Sequence, residues 1–308
     1  MEKYLAFDVG GSYIKYGVVQ GNGTVLSRGK SRTNSHLGSE HLLQQLCQIG
    51  ERAMAREQFN GIAISTTGVV DAEQGVIQSE ISSWIGGYNG TRLRQLLGQR
   101  TGLNVEIEND VNCMALGEHW LGAAKGFRNV VCMAIGTGIG GALLIDGELY
   151  RGSLNMAMEV GRMPVAHSHL EDLASVRALI YEYAKLSNIP TLDVDGLLVA
   201  QKVREGDRYA QEALEQMCYY LAHGVAVLTS TFTPDVLVLG GGITNDGDLL
   251  DSRLKRYLKE VLDNALWESL NLQYAKLGGD VGLVGAVRHY QLMTRQRKEE
   301  GDYGKAVC

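Results

Sequence analysis

The sequence predicts a duplicated α/β protein of two lobes. Three observations carry that expectation. Each half of the chain opens on the same plan, strand, glycine turn, strand, turn, strand, and continues with alternating helices and strands. Glycine clusters at Gly10-Gly11, Gly136 to Gly141 and Gly240 to Gly242 fall at the ends of strand patterns. The chain has 308 residues, 45% of them hydrophobic, enough to bury cores for two lobes of ordinary size.

In chain order, YLAFDVG reads as a strand, Gly10-Gly11 as a turn, YIKYGVV as a strand, QGNG as a turn and TVLSRGK as a third strand. Apolar Leu42, Leu43, Leu46, Ile49 and Ala53 recur at helical spacing. GIAIST (61–66) has the look of a buried strand, TRLRQLLGQR of a helix and NVEIEN of a strand, and a helix from Val111 to about Leu121 closes this half. NVVCMAI opens the second half as a strand, GTGIGG turns, and ALLIDGELYRG forms a hairpin at Asp146-Gly147. A long helix (roughly 207–230), the strand DVLVLGGG, a helix from about Asp248 to Leu262, the strand LQYAKL and a helix from about Gly282 follow. The pattern sets the lobe boundary near residues 115–122. The N-terminal lobe is then 1–117 with the C-terminal helix (about 282–308), and the C-terminal lobe is 118–281.

Composition excludes several classes. The formal net charge is -6 and no long basic run occurs, so a nucleic-acid footprint is missing. No apolar run is long enough to cross a bilayer, and KYLAFDVGG enters a strand pattern at once, which sets the expectation of a cytoplasmic protein without a leader. Cys47, Cys113, Cys132, Cys218 and Cys308 are dispersed, which suits reduced thiols rather than a four-cysteine zinc site.

GTGIGG matches G-x-G-x-x-G in letters, yet a dinucleotide fingerprint needs a helix directly after it. Here ALLID and Asp-Gly follow, so the turn belongs to a hairpin and the nicotinamide reading falls. Glycine lets backbone N–H groups approach a phosphate with no Cβ in the way. DVGGS is a hairpin turn of the same kind, and Asp8 ends its strand where it could orient a metal-bound water. A hard Mg²⁺ held with nucleotide phosphates needs only one or two carboxylates. The third cluster could let a base and ribose lie on bare backbone. A tight turn would explain any one cluster, but three at equivalent strand ends fit a shared nucleotide cleft better.

NVEIENDVNCMALGEHW places Glu108, Asn109 and Asp110 where a strand pattern gives way to a helical one. Asn and Asp are favoured N-caps, so capping is one reading of the pair.

FDVGGSYIKYGVV, AIGTGIGGALLIDGELYRG, LVLGGGI and IENDVNCMALGEHWLGAAKG resemble the motifs of the ROK family of sugar kinases, over nearly the whole chain. That family lies within the actin, hexokinase and heat-shock-chaperone ATPase superfamily. The resemblance implies the two-lobe actin/hexokinase-like (ribonuclease H-like) fold. It also implies Mg²⁺ and ATP between the lobes. The nucleotide would be held by Asp8, Gly10, Gly11, Ser12 and Lys15, by Gly136, Thr137, Gly138 and Gly140, and by Gly241 and Gly242. Asp8 would meet the magnesium indirectly through water, and Ser12 stands where Thr is usual. By the same resemblance Asp110 is the general base for the sugar's 6-hydroxyl, and Asn109 binds a neighbouring hydroxyl. Such a carboxylate typically contributes ~10²–10⁴-fold. Glu159 in MEVGR and Glu171 in HLEDLAS match the family's sugar-binding glutamates, and Gly68 in STTGVVD lies on a loop bordering the sugar. A helix-start acid favoured by the dipole is the plainer reading of either glutamate.

The departures carry information. Where the family has E-x-G-H and a cysteine-rich zinc motif, this chain has Arg162 in the histidine position and no cysteine in MPVAHSHLEDLAS. His167 and His169 alone make a weak ligand pair, so no structural zinc is expected. Arg162 is longer, always charged and donor-only, which alters a corner of the substrate site. In SWIGGYNG, Trp84 replaces an Asn and Gly86 a Pro of the family pattern. The zinc-less pattern is similar to bacterial β-glucoside kinases, where a glycoside needs room rather than a polar partner for the anomeric hydroxyl. The resemblance implies a homodimer. Glucokinase, fructokinase and N-acetylmannosamine kinase activities stay open, as does a non-catalytic sugar sensor of the repressor type. The repressors carry an N-terminal helix-turn-helix, which this chain is expected to lack.

Overall fold

The computed structural model describes residues 1–79, 85–245 and 247–306. Trp84, singled out above, lies outside the described residues. The chain folds as two compact units, Met1–Leu121 with Gly279–Cys308, and Gly122–Gly278.

In the first unit, β1 (Lys3–Val9), β2 (Tyr13–Gln20) and β3 (Val25–Arg32) form an antiparallel meander. The amphipathic helix α1 (Gly38–Met54) follows, burying Leu42, Leu43 and Leu46. β4 (Gly61–Thr66), buried along its whole length, joins β1 in parallel. A short hairpin of β5 (Val69–Asp71) and β6 (Val76–Ser79) and the helix α2 (Leu93–Thr101) come next. β7 (Val105–Asn109) then adds to β4 in parallel, giving the order β3-β2-β1-β4-β7, and leads straight into α3 (Asp110–Leu121).

Strand periodicity sends alternate side chains to opposite faces of this sheet. Leu5, Phe7, Ile62, Ile64 and Ile107 pack under α1 and α2, against Leu42, Leu46, Leu93 and Leu97. Each such fully buried Leu or Ile contributes about 1.5–3 kcal/mol relative to exposure.

The second unit repeats the plan. β8 (Val130–Ile135), β9 (Ile139–Ile145) and β10 (Glu148–Leu149) form its meander, turning at Asp146 (φ 54) and Gly147 (φ 84). Two positive φ values in a two-residue loop match the twist of the strands they join. A small hairpin, β11 (Pro164–Val165) with β12 (Ser168–His169), precedes α4 (Leu170–Ala174), α5 (Val176–Ser187) and α6 (Gly196–Arg204). The long α7 (Arg208–Phe232) begins at Asp207, whose side chain accepts from Tyr209 and Ala210 N–H. It buries Ala210, Ala213, Leu214, Met217, Leu221 and Val225 at helical spacing. β13 (Val236–Gly240) joins β8 in parallel; α8 (Gly247–Val261), α9 (Asn264–Ser269) and β14 (Leu272–Tyr274), parallel to β13, complete the order β10-β9-β8-β13-β14.

α10 (Val281–Ala306) returns to the first unit. Its Leu283, Ala286, Val287 and Tyr290 cover the second sheet face, Tyr4, Ala6, Val19 and Ala63, beside Cys113 of α3. The β5–β6 and β11–β12 hairpins and α4, α5, α6 and α9 are additions to the elements expected from the sequence.

Candidate active site

The first unit collects polar side chains where its parallel strands end. Registers across β1, β4 and β7 set Asp8 beside Ser65 beside Glu108, and one step further Val9 beside Thr66 beside Asn109. Carboxyl-terminal strand edges of open α/β sheets are where ligands usually bind. Asp8 is held at both oxygens. Ser65 Oγ donates to Oδ1 at 3.0 Å, and Lys15 Nζ, its cross-strand partner on β2, lies 3.3 Å from Oδ2. Lys15 also donates to Gly279 O at 3.4 Å. Gly282, in the first turn of α10, lies against the carboxylate; a Cβ there would be 2.5 Å from Asp8 Cγ, so no side chain fits. The turn at Gly10, Gly11 and Ser12 is closed by Gly10 N–H to Tyr13 O (3.0 Å). Thr33 braces it through Oγ1 to Gly10 O (2.7 Å) and N–H to Ser12 O (3.1 Å).

Asn109 is an N-cap in fact. Its Oδ1 accepts from Val111 N–H at 2.9 Å and Asn112 N–H at 3.1 Å, and its Nδ2 donates to Gly68 O at 3.1 Å. Gly68 has φ 93, a conformation that favours glycine. Asp110 is the first residue of α3, half-buried, with Oδ1 accepting from Val111 N–H at 2.9 Å. Tyr88, fully buried, shares a 2.6 Å hydrogen bond with Thr66 Oγ1. Burial pushes its hydroxyl pKa up, Thr66 opposes, and the negative charge of Asp110 adds to the rise.

The second unit gathers a different set. Gly136 follows β8 and Gly241 follows β13. Gly241 has φ +109, and a Cβ on it would lie 2.0 Å from Ile135 O, so the two glycine turns touch through bare backbone. Val176 N–H, at the start of α5, donates to Gly136 O at 2.9 Å, and Gly136 N–H to Gly138 O at 2.9 Å. Thr137 is exposed, Gly140 half-buried, and Gly136 and Gly242 have open space where a side chain would stand. Glu171, in the first turn of α4, is half-buried, its side chain 12% exposed. Its Oε2 lies where a Cβ on Gly138 or Gly161 would come within 2.6 or 3.1 Å. Arg162 Nη1 stands 3.5 Å from Glu171 Oε1 and is half-exposed. Glu159 precedes the short helical turn 160–162. Burial raises its carboxyl pKa, Arg162 opposes the rise, and Glu171 adds to it.

Sequence reasoning missed Ser65, Thr33 and Tyr88 and gave Glu108 no role; all four are buried, and Ser65, Thr33 and Tyr88 have partners distant in sequence. His169 Nδ1 stands 3.5 Å from Asp172 Oδ2. Among the described residues, no three or more His, Cys, Asp or Glu side chains are placed to share a metal ion. Among them, too, no helix is long and apolar enough to cross a membrane.

A model of the ROK family matches residues 4–291. A β-glucoside kinase from Klebsiella pneumoniae is 30% identical over 309 residues, spanning 97% of this chain and 99% of that protein. The crystal structure of a ROK family glucokinase from Streptomyces griseus in complex with glucose and AMPPNP matches with a TM-score of 0.82 at 27% identity, over 92% of this chain and 98% of that one. A ROK family protein from Streptococcus pneumoniae in complex with sucrose matches with a TM-score of 0.82 at 29% identity, over 96% of this chain and 99% of that one. With its repeated meander-plus-parallel-pair sheets, the chain belongs to the ROK family and has the actin/hexokinase-like α/β fold of that family's sugar kinases.

Proposed function

We propose that this chain is an ATP-dependent carbohydrate kinase that phosphorylates the 6-hydroxyl of a hexose or β-glucoside, with Asp110 as general base. The observation that carries the reading is that Asp8 and Asn109 stand on successive rows at the carboxyl-terminal edge of the same three parallel strands, with Asp110 the next residue, at the start of α3. Phosphoryl transfer depends mostly on positioning and on offsetting charge. An acid at the phosphate end and a second acid at the acceptor end are the parts it needs. An alcohol is a poor nucleophile, and Asp110, at the start of α3, is the carboxylate available to take its proton. Asn109 spends its oxygen on the cap, and its Nδ2 keeps a second N–H for a sugar hydroxyl.

Magnesium fits Asp8. Both carboxylate oxygens already have donors, Ser65 and Lys15, so an ion bound by nucleotide phosphates would be met through water. When bound, the ion offsets phosphate charge. Within the first unit, the tight turn at Gly10, Gly11 and Ser12 supports a phosphate-facing role for that hairpin; within the second, the bare backbone at Gly136 to Gly140 and at Gly241 and Gly242 supports a role in holding nucleotide.

On the sugar side, Glu159 and Glu171 can each accept two hydroxyls. Arg162 against Glu171 balances one of the two charges and replaces the family histidine. The stretch after Glu159 holds no cysteine. The missing zinc motif and the β-glucoside kinase among the relatives support a glycoside; the charge and length of Arg162 and the glucokinase complex with glucose weigh towards a free hexose.

ADP release measured over glucose, mannose, fructose, N-acetylmannosamine, cellobiose, gentiobiose and salicin tests the substrate. Asp110→Asn should lower turnover of the best of them by about 10²–10⁴-fold while calorimetry shows sugar binding retained. Turnover near wild type in that variant would remove Asp110 from the role of base.

A further inference from the structure

We infer that Glu108 is the positioning residue for Asp110, with His289 of α10 beside its other oxygen. The kinetic part of this inference rests on the kinase reading above. Glu108 is the penultimate residue of β7 and is fully buried. A carboxylate in such a place costs several kcal/mol unless its oxygens are met by donors. Oε1 accepts from Asn109 N–H at 2.8 Å and from Asn112 Nδ2 at 3.0 Å. Oε2 lies 3.7 Å from His289 Nδ1, and His289 is itself buried, 1% exposed.

The two accepted bonds straddle Asp110. One fixes the residue before it, the other a side chain on the first turn after it. Asn109 caps the same turn from the end of the strand, so residues 109 to 112 are clamped from two directions. The direction in which the Asp110 carboxylate leaves the backbone is therefore set by a group beneath it.

The contact with α10 reaches further than Asp110. Gly282 and His289 are two turns apart on one face of α10. At Gly282 that face lies against the Asp8 carboxylate; at His289 it meets Glu108. Ser65, between Asp8 and Glu108 in register, donates to Asp8. One helix face and one strand row thus fix the spacing between the acid at the phosphate end and the segment that carries the base.

The test uses Glu108→Ala, Glu108→Gln and Asn112→Ala in the full chain. Glu108→Ala should lower kcat by about 100-fold, the cost of a misplaced group. The KM for ATP should stay within about threefold, and the KM for sugar should rise by less than kcat falls, since Asn109 is loosened along with Asp110. Glu108→Gln keeps an oxygen that accepts the same two N–H groups, and should recover kcat to within about tenfold of wild type. Hydrogen exchange at the amides of residues 109–112 should speed up in the alanine variant and not in the glutamine variant. Should Glu108→Ala fail to fold, Asn112→Ala decides, with kcat expected to fall about three- to tenfold at unchanged KM for ATP. Wild-type kcat in either alanine variant, or a glutamine variant as slow as the alanine one, overturns the inference. A wild-type protein that phosphorylates no sugar removes the kinase reading instead. The clamp is then judged by exchange alone, and unchanged exchange at residues 109–112 in the alanine variants overturns it.

Discussion

In the first meander Asp8 on β1 faces Lys15 on β2 and Ser65 on β4; at the matching points of the second, Ala134 on β8 faces Gly140 on β9 and Gly240 on β13. One row carries an acid, a base and a hydroxyl. The other carries a single methyl group. The backbone hydrogen bonds are the same in kind, because a sheet is joined by main-chain groups and does not register which side chains stand on it. A duplicated scaffold is therefore free to divide its work. The first copy supplies charge through side chains, and Gly282 makes room for that charge. The second copy supplies bare backbone, close enough at Gly241 and Ile135 that only glycine is tolerated.

If that division is right, substitutions in the two rows should fail in different ways. The largest effect is expected in the charged row. Asp8→Ala should lower kcat by about 10²–10³-fold, as for loss of a group that organises transition-state charge. Its unfolding free energy should fall by no more than about 1–3 kcal/mol, since the partly exposed pair with Lys15 is worth only ~0–1 kcal/mol and the rest is the buried Ser65 hydroxyl left without its acceptor. A matching loss of stability and activity in that variant would break the comparison. In the bare row the order reverses. Gly241→Ala forces a Cβ onto Ile135 O at φ +109 and should cost about 1–3 kcal/mol of unfolding free energy, read by urea titration.

The smallest effect sharpens the comparison at Glu159, beside the second meander. Burial raises the folded-state pKa of this carboxyl above its ordinary 4.5, so the folded protein holds that proton more tightly than the unfolded chain does. The stability this contributes is full at acid pH and is lost as pH rises through the folded value. Glu159→Gln has no such loss. Its melting temperature relative to wild type should rise by about 1–2 °C between about pH 4 and about pH 7. A difference that shrinks with pH would mean that Arg162, not burial, dominates there.

The parts of this fold that local chemistry dictates were open to reading in the sequence. Asp146-Gly147 adopts the two positive φ angles that the pair of residues suggests, and ALLID after GTGIGG forms a strand antiparallel to β8 rather than a helix. Asn109 caps α3 as an Asn before a helical pattern should. What stayed hidden depends on register and long-range packing. Nothing near Glu108 in sequence points to His289, and nothing near Arg162 fixes its side chain against Glu171. α4 has five residues and β11 and β12 two each, too short for either periodicity to show. Ser65 and Thr66 look like ordinary polar residues at a strand end until their neighbours on β1 and β7 are known.

One feature of the connectivity bears on how the protein comes to exist. Tyr4, Ala6, Val19 and Ala63 are made early, yet Leu283, Ala286, Val287 and Tyr290, which shield them, are translated only after the whole of the second unit. On the ribosome the earliest sheet must wait with one oily side bare. The later-made unit, whose own elements follow one another without interruption, can finish folding before the earlier one. A chaperone that grips exposed apolar strands would find its footing on this nascent chain in that interval.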